Sequence, residues 1–81
     1  MATQSQAELA FEARVAFTRL LMAKVREDKY PSAAHLSLIE HTIPPQLVRE
    51  YLDVLLAKVV NDNNPSITML SRIQRIVTEM A

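Results

Sequence analysis

Apolar residues recur along this chain with the spacing of α-helices, and prolines divide the pattern into four segments. In each segment apolar side chains return every three or four residues, which places them on one side of a helix. Proline is favoured in the first turn of a helix and excluded from its interior, so the prolines mark where helices begin. The segments predicted as helices 1 to 4 are Ser5 to about Glu27, Ser32–Thr42, Pro45–Val60 and Ser66 to about Met80.

The second half of the chain repeats part of the first half at an offset of 34 residues. Between Leu21–Ile43 and Leu55–Val77, ten of 23 aligned positions are identical. The identical pairs are Leu21/Leu55, Ala23/Ala57, Lys24/Lys58, Val25/Val59, Asp28/Asp62, Pro31/Pro65, Ser32/Ser66, Leu36/Leu70, Ser37/Ser71 and Ile39/Ile73. We therefore predict an all-α fold of four helices, built as two tandem duplicated α-hairpins that pack with pseudo-two-fold symmetry.

The length of 81 residues predicts a single helical domain. We expect residues 1–4 to be a disordered start, residues 5–43 to form the first hairpin unit and residues 44–81 to form the second. Each hairpin carries an apolar stripe that it cannot bury alone. Packing the two hairpins together is the arrangement that removes both stripes from water.

Helix 1 has two apolar flanks, whereas a helix lying on the surface of a core needs only one. The flank expected to face the core consists of Leu9, Ala13, Ala16, Phe17, Leu20 and Leu21. The other flank consists of Phe11, Val15, Met22 and Val25. Together with Leu38 of helix 2, this second flank exceeds what a small core needs. We predict that these five residues form an interface, most simply with a second copy of the chain.

The other helices predict the rest of the core. Helix 2 is expected to bury Leu36, Ile39 and Ile43, and helix 3 Val48, Leu52, Leu55 and Val59. Helix 4 has the most regular period, and its expected buried residues are Met69, Leu70, Ile73, Ile76, Val77 and Met80. Since the chain has no glycine, we expect asparagine in Asn61–Asn64 to adopt the left-handed conformation that often ends a helix.

Composition narrows the classes of function. Nine basic residues balance nine acidic ones, so the net charge is zero and a basic excess that would favour nucleic acid is missing. The chain has no cysteine for thiolate metal sites and no glycine-rich phosphate loop. No apolar run approaches the length of a membrane span, and the first six residues lack the basic and apolar parts of a signal peptide. We expect a cytoplasmic protein with no membrane partner.

The polar residues offer little for catalysis. His35 and His41 lie on different sides of helix 2 and cannot share a metal through helical spacing. Asp28 and Asp62 precede helix starts, where a carboxylate accepts backbone N–H groups. The repeated serines have no accompanying histidine and acid in a catalytic arrangement and are read as caps and small contact residues. We therefore predict no catalytic residue, no cofactor and no metal site.

Three functions remain open from the sequence. The first is a non-enzymatic protein–protein interaction module that self-associates through helix 1, as a homodimer or higher homo-oligomer, and serves an unidentified protein as adaptor, accessory subunit or regulator. The second is a helix-turn-helix DNA-binding regulator that uses Arg72 and Arg75 of helix 4. The third is a small ligand-binding or enzymatic helical protein with an apolar pocket between the hairpins.

Overall fold

The computed structural model describes residues 5–80 of the chain, and the side chains of residues 5–79. Within that range the fold is all-helical, with four α-helices and no strand. The helices are α1 (Gln6–Glu27), α2 (Ala33–Thr42), α3 (Val48–Val60) and α4 (Ile67–Met80), with a short 3₁₀-helix (Pro45–Leu47) directly before α3. The all-α prediction and the four helical segments are confirmed, while the expected disordered start at residues 1–4 lies outside the described residues.

The chain divides into two compact units, the first ending at Leu47 and the second beginning at Val48. In the first unit α1 packs against α2, and in the second α3 packs against α4. The two arms of the first unit differ in length, with 22 residues in α1 and 10 in α2. At 1.5 Å of rise per residue, α2 is about 15 Å long and α1 about 33 Å. A short second arm can cover only part of α1.

Serine side chains cap three of the helix starts. The Oγ atoms of Ser5, Ser32 and Ser66 each accept a hydrogen bond from the backbone N–H three residues further on. The distances are 3.1 Å to Glu8 N, 3.1 Å to His35 N and 3.0 Å to Met69 N. Each bond satisfies a backbone donor that the helix itself leaves without a partner. The predicted caps are confirmed.

The two turns are built by the repeated aspartates. Asp28 Oδ1 accepts from the backbone N–H of Tyr30 at 3.0 Å, and Asp62 Oδ1 accepts from that of Asn64 at 3.0 Å. The backbone N–H of each aspartate donates in turn to a carbonyl three residues earlier, on Val25 or Val59, at 3.1 Å. The structural role expected for the aspartates is confirmed. The expected left-handed asparagine is wrong, because no described residue has a positive φ.

Removing one serine cap is expected to destabilise the protein by about 1 kcal/mol. Ser32→Ala and Ser66→Ala should each lower the thermal midpoint by about 5 °C, because a domain of this size shifts by that amount per kcal/mol. Ser37→Ala is the matched control, since Ser37 lies inside α2. Alanine is also the better helix former there. Thermal unfolding followed by circular dichroism checks this, and equal shifts in Ser32→Ala and Ser37→Ala would contradict the capping role.

The buried residues of the first unit follow the prediction only in part. Leu36 and Ile39 of α2 are buried as expected, and the partly exposed Ile43 follows them. Pro44 and Leu47, which connect α2 to the next helix, are also buried. The buried part of α1 is confined to its second half, between Thr18 and Val25. This agrees with the short reach of α2.

In the second unit burial is concentrated on α3. Its buried residues are Tyr51, Leu52, Val54 and Leu55. On α4 only Ile76 is buried among the described side chains, while Leu70 and Val77 are exposed and Met69 and Ile73 are partly exposed. The prediction that the whole apolar stripe of α4 is buried is therefore wrong for Leu70 and Val77. Within its unit α4 packs against one helix, and one neighbour covers only a narrow band of a helix surface.

Candidate functional site

The buried face of α1 includes a threonine, Thr18, which is its first residue in chain order. Thr18, Leu21, Met22 and Val25 lie within about 100° of one another around the helix, and all four are buried. The Thr18 hydroxyl donates to the carbonyl oxygen of Arg14 at 2.7 Å, so its one hydroxyl proton is satisfied within the helix. A threonine with that bond can lie among apolar side chains without a desolvation penalty for an unpaired donor. We call these four residues the core face of α1.

Two residues expected at the interface belong to this core face. Met22 and Val25 are both 0% exposed. The expectation that they lie on a flank left open for a partner is wrong. Once Thr18 is counted with the apolar side chains, the flank that includes Met22 and Val25 is the one that faces inward.

An arginine continues the core face towards the start of α1. Arg14 lies one helical turn before Thr18, and its guanidinium donates from Nε to the carbonyl oxygen of Thr42 and from Nη2 to that of Ile43, the latter at 2.9 Å. Both acceptors are at the C-terminal end of α2, where helix carbonyls lack partners and the helix dipole favours a positive charge. Arg14 thus fastens α1 to the end of α2. Sequence reasoning missed this residue; its place four residues before Thr18 was the available signal.

The opposite face of α1 is apolar and open to solvent. Leu9, Ala13, Ala16 and Leu20 follow one another at intervals of four, three and four residues, and all are exposed. Leu9 is 50% exposed and Leu20 is 55% exposed. These intervals are the heptad spacing with which two helices meet along a common seam. We call these four residues the Leu-Ala-Ala-Leu stripe.

The flank expected to face the core is thus mostly outside. Of its six residues only Leu21 is buried, while Phe17 is exposed beside the Leu-Ala-Ala-Leu stripe. The prediction that Leu9, Ala13, Ala16, Phe17 and Leu20 lie in the core is wrong. Helix 1 does carry two apolar sides, but the side expected to be buried is mostly exposed, and Met22 and Val25 of the other side are buried.

The remaining predicted interface residues are accessible. Phe11 and Leu38 are exposed, and Val15 is partly exposed. Phe11 and Val15 share the angular sector of the core face but lie before its buried part begins at Thr18. Leu38 is on α2. The structure therefore leaves these three residues accessible, and Phe11 and Val15 lie on a different side of α1 from the Leu-Ala-Ala-Leu stripe.

On α4, the two arginines proposed for nucleic acid line one surface depression. It has a volume of about 330 Å³ and is lined by Ile67, Thr68, Ser71, Arg72 and Arg75. All five residues are on α4 itself, so the depression is a shallow feature of that helix surface. Two arginines and two hydroxyl side chains are groups that contact phosphates.

The histidines and aspartates do not gather into one cluster. His41 Nδ1 is 2.7 Å from the carbonyl oxygen of Ser37, one turn earlier on the same helix, and the Asp28 and Asp62 carboxylates accept backbone N–H groups in their own turns. Across residues 5–79 there is no group of three or more His, Asp or Glu side chains placed to hold a metal ion. That the protein needs no metal, cofactor or catalytic residue stays a prediction.

None of the helices in the described part of the chain combines the length and the apolar character needed to cross a membrane. Comparison of the chain with models of protein families, with curated proteins and with solved structures gave no match. Any function proposed for the protein therefore depends on the contacts and exposures of this chain alone.

Proposed function

We propose that this protein is a non-enzymatic protein–protein interaction module that self-associates through α1. The single observation that carries the proposal is the exposed Leu-Ala-Ala-Leu stripe, which lies opposite the core face of the same helix. A helix that already buries one face gains no stability from two half-exposed leucines on its other side, whereas burying them against a neighbour is favourable. Small exposed alanines between them let that neighbour approach closely.

The proposed contact surface differs from the one expected from sequence. It consists of the Leu-Ala-Ala-Leu stripe with Phe17 at its side, and it excludes the buried Met22 and Val25. Phe11, Val15 and Leu38 remain candidates for contact with a different protein. A self-associating module with a second accessible surface fits the role of adaptor, accessory subunit or regulator of a larger protein.

We also propose that the chain arose by duplication of one helical hairpin, with pseudo-two-fold symmetry between the copies. The support is that repeated residues make the same local bonds. Ser32 and Ser66 each cap a helix, and Asp28 and Asp62 each accept a backbone N–H two residues further on. The copies differ in burial, since Leu36 is buried and its counterpart Leu70 is exposed. Such a difference is expected when duplicated halves diverge in what covers them.

Leu20→Glu is expected to convert the self-associated protein into a monomer while leaving it folded. A carboxylate in the middle of the shared seam must be desolvated when two copies meet, which opposes association. In sedimentation velocity at micromolar concentration the unmodified chain should sediment at no less than twice its mass of 9.2 kDa, and the variant at that mass. Circular dichroism should report the same helix content for both.

The matched control is Leu38→Glu, which introduces the same charge at an exposed leucine of α2. This variant should associate like the unmodified chain. A monomeric unmodified chain, or association that is lost in Leu38→Glu and kept in Leu20→Glu, would contradict self-association through the Leu-Ala-Ala-Leu stripe.

The second candidate function is DNA binding through α4. It is favoured by the depression that brings Arg72 and Arg75 together with Thr68 and Ser71, and it is disfavoured by the zero net charge of the chain. If it is correct, fluorescence anisotropy with duplex DNA at low salt should show binding that weakens steeply as salt rises. Arg72→Ala combined with Arg75→Ala should weaken that binding at least about tenfold, from the loss of two phosphate or base contacts. An unchanged affinity, or no binding at low salt, rejects this function.

A further inference from the structure

We infer that the Leu-Ala-Ala-Leu stripe is covered by α1 of a second copy of this chain, running antiparallel to the first. This inference rests on the proposed self-association and adds its geometry. It is derived from the order of residue types along the stripe and from the charges on its two sides. It assigns specific charged contacts, so changing one charge should weaken the dimer and exchanging both charges should restore it.

The stripe reads the same in both directions. Leu9 and Leu20 lie at its ends, Ala13 and Ala16 lie at its centre, and the intervals of four, three and four residues are symmetric. A two-fold axis passing between Arg14 and Val15 places Leu9 against Leu20 of the second copy. The same axis places Ala13 against Ala16 of the second copy. The contact is isologous, as expected for a two-fold dimer, and its small central residues suit two helices that cross with their closest approach at the centre.

The residues flanking the stripe complement each other in this orientation. One side carries Glu12 and Arg19, and the other carries Ala10 and Phe17, all of them exposed. In an antiparallel pair like sides face each other. Glu12 then lies beside Arg19 of the second copy, and Phe17 beside Ala10 of the second copy. By symmetry each contact occurs twice, so two opposite-charge pairs and two apolar contacts border the seam.

The parallel orientation brings unsuitable groups together. In a parallel pair, the side of one helix that carries Glu12 and Arg19 faces the side of its neighbour that carries Phe17 and Lys24. Each residue then lies beside the residue five positions further along the second copy. Arg19 would then lie beside Lys24 of the second copy, and Glu12 beside Phe17 of the second copy. The first contact joins two positive charges and the second places a carboxylate against an aromatic ring. The charge pattern therefore selects the antiparallel pair.

Exchanging charges tests the orientation, because the two arrangements predict opposite signs. In the antiparallel pair Arg19→Glu faces Glu12, so the dissociation constant measured by sedimentation equilibrium should rise at least about fivefold. Combining Glu12→Arg with Arg19→Glu restores opposite charges and should return the constant to within about twofold of the original. In a parallel pair Arg19→Glu would instead face Lys24 and tighten the dimer.

The matched control is Arg26→Glu, on the same side of α1 and with the same change of charge. The antiparallel seam places position 26 beside the polar Ser5 of the second copy, so the dissociation constant should change less than about twofold. An equal weakening by Arg26→Glu and Arg19→Glu would indicate a general charge effect and would overturn the assigned contact.

Cross-linking gives an independent test, since the chain has no cysteine of its own. The antiparallel register places position 6 against position 23 of the second copy. A mixture of Gln6→Cys and Ala23→Cys chains should form the mixed disulfide under mild oxidation. Ala23→Cys alone should not form a disulfide-linked dimer, because the two cysteines of a pair lie about 25 Å apart along the seam, far beyond disulfide reach. A self-disulfide of Ala23→Cys without the mixed species overturns the antiparallel arrangement.

Different experimental results would reject self-association and the antiparallel orientation. An unmodified chain that sediments as a monomer rejects self-association, and with it the antiparallel pair. A dimer that Leu20→Glu dissociates but Arg19→Glu tightens keeps the proposed function and rejects only the orientation.

Discussion

Leu55→Ala is expected to destabilise the protein by about 2–5 kcal/mol, the range for removing a fully buried leucine side chain. Leu55 is 0% exposed and lies on the buried side of α3. Small domains are stabilised by only about 5–15 kcal/mol in total, and a chain of this length belongs at the low end. Urea denaturation followed by circular dichroism should therefore show a large decrease in the midpoint, with a substantial unfolded population already at physiological temperature.

The adjacent residue is the control for this prediction. Leu56 has the same side chain and the same helix, but it is 39% exposed. Leu56→Ala should cost less than about 1 kcal/mol, because much of its apolar surface is in water in the folded protein as well. If the two variants lose the same stability, α3 does not direct Leu55 inward and Leu56 towards solvent.

Met22→Glu is expected to unfold the helix pair of α1 and α2. Met22 has no exposed surface, so a glutamate there buries a carboxyl group among apolar side chains, at a cost of several kcal/mol. The protein can avoid this penalty by protonating the group or by exposing the site, and exposure separates α1 from α2. The expected result is a large loss of helical circular dichroism signal at neutral pH and of cooperative thermal unfolding.

Leu20→Glu makes the same chemical change two residues away and is the matched control. Leu20 belongs to the Leu-Ala-Ala-Leu stripe, so its glutamate remains in water in the monomer, and the helix content should be retained. Comparing Met22→Glu with Leu20→Glu shows which face of α1 lies in the core. A folded Met22→Glu variant beside an unfolded Leu20→Glu variant would restore the assignment expected from hydrophobic pattern alone.

The sequence predicted the helices far better than it predicted their orientation. The four segments follow from periodicity, prolines and serine caps, all of which act locally. Which side of α1 faces inward depends on Thr18 and Arg14, which a hydrophobic pattern counts as polar. Thr18 is buried because its hydroxyl bonds within the helix, and Arg14 lies on the same side because α2 ends within its reach. Both facts concern tertiary contacts that a one-dimensional pattern does not contain.

For the candidate site, the sequence predicted two apolar sides on α1 but not which of them is buried. Two apolar sides on α1 correctly indicated more apolar surface than the adjoining helix can cover. Leucine, alanine and phenylalanine on one side, and methionine, valine and phenylalanine on the other, offered no basis for choosing which side faces the core. On α4 a regular stripe predicted complete burial, but periodicity reports only which residues share a face. How much of that face is covered depends on the neighbouring helix, as Leu70 and Val77 show.

The structure of the two turns determines which of their residues can be substituted during evolution. Both are made without any residue of positive φ, so no position in them requires the special backbone freedom of glycine or asparagine. Aspartate, proline and serine fix each turn, and the two intervening residues are Lys29 and Tyr30 in one and Asn63 and Asn64 in the other. In the first, the Lys29 ammonium lies 5.5 Å from the centre of the Tyr30 ring. Each turn thus holds a pair of side chains that can be exchanged, so a turn can acquire new recognition chemistry while the helices beside it fold as before.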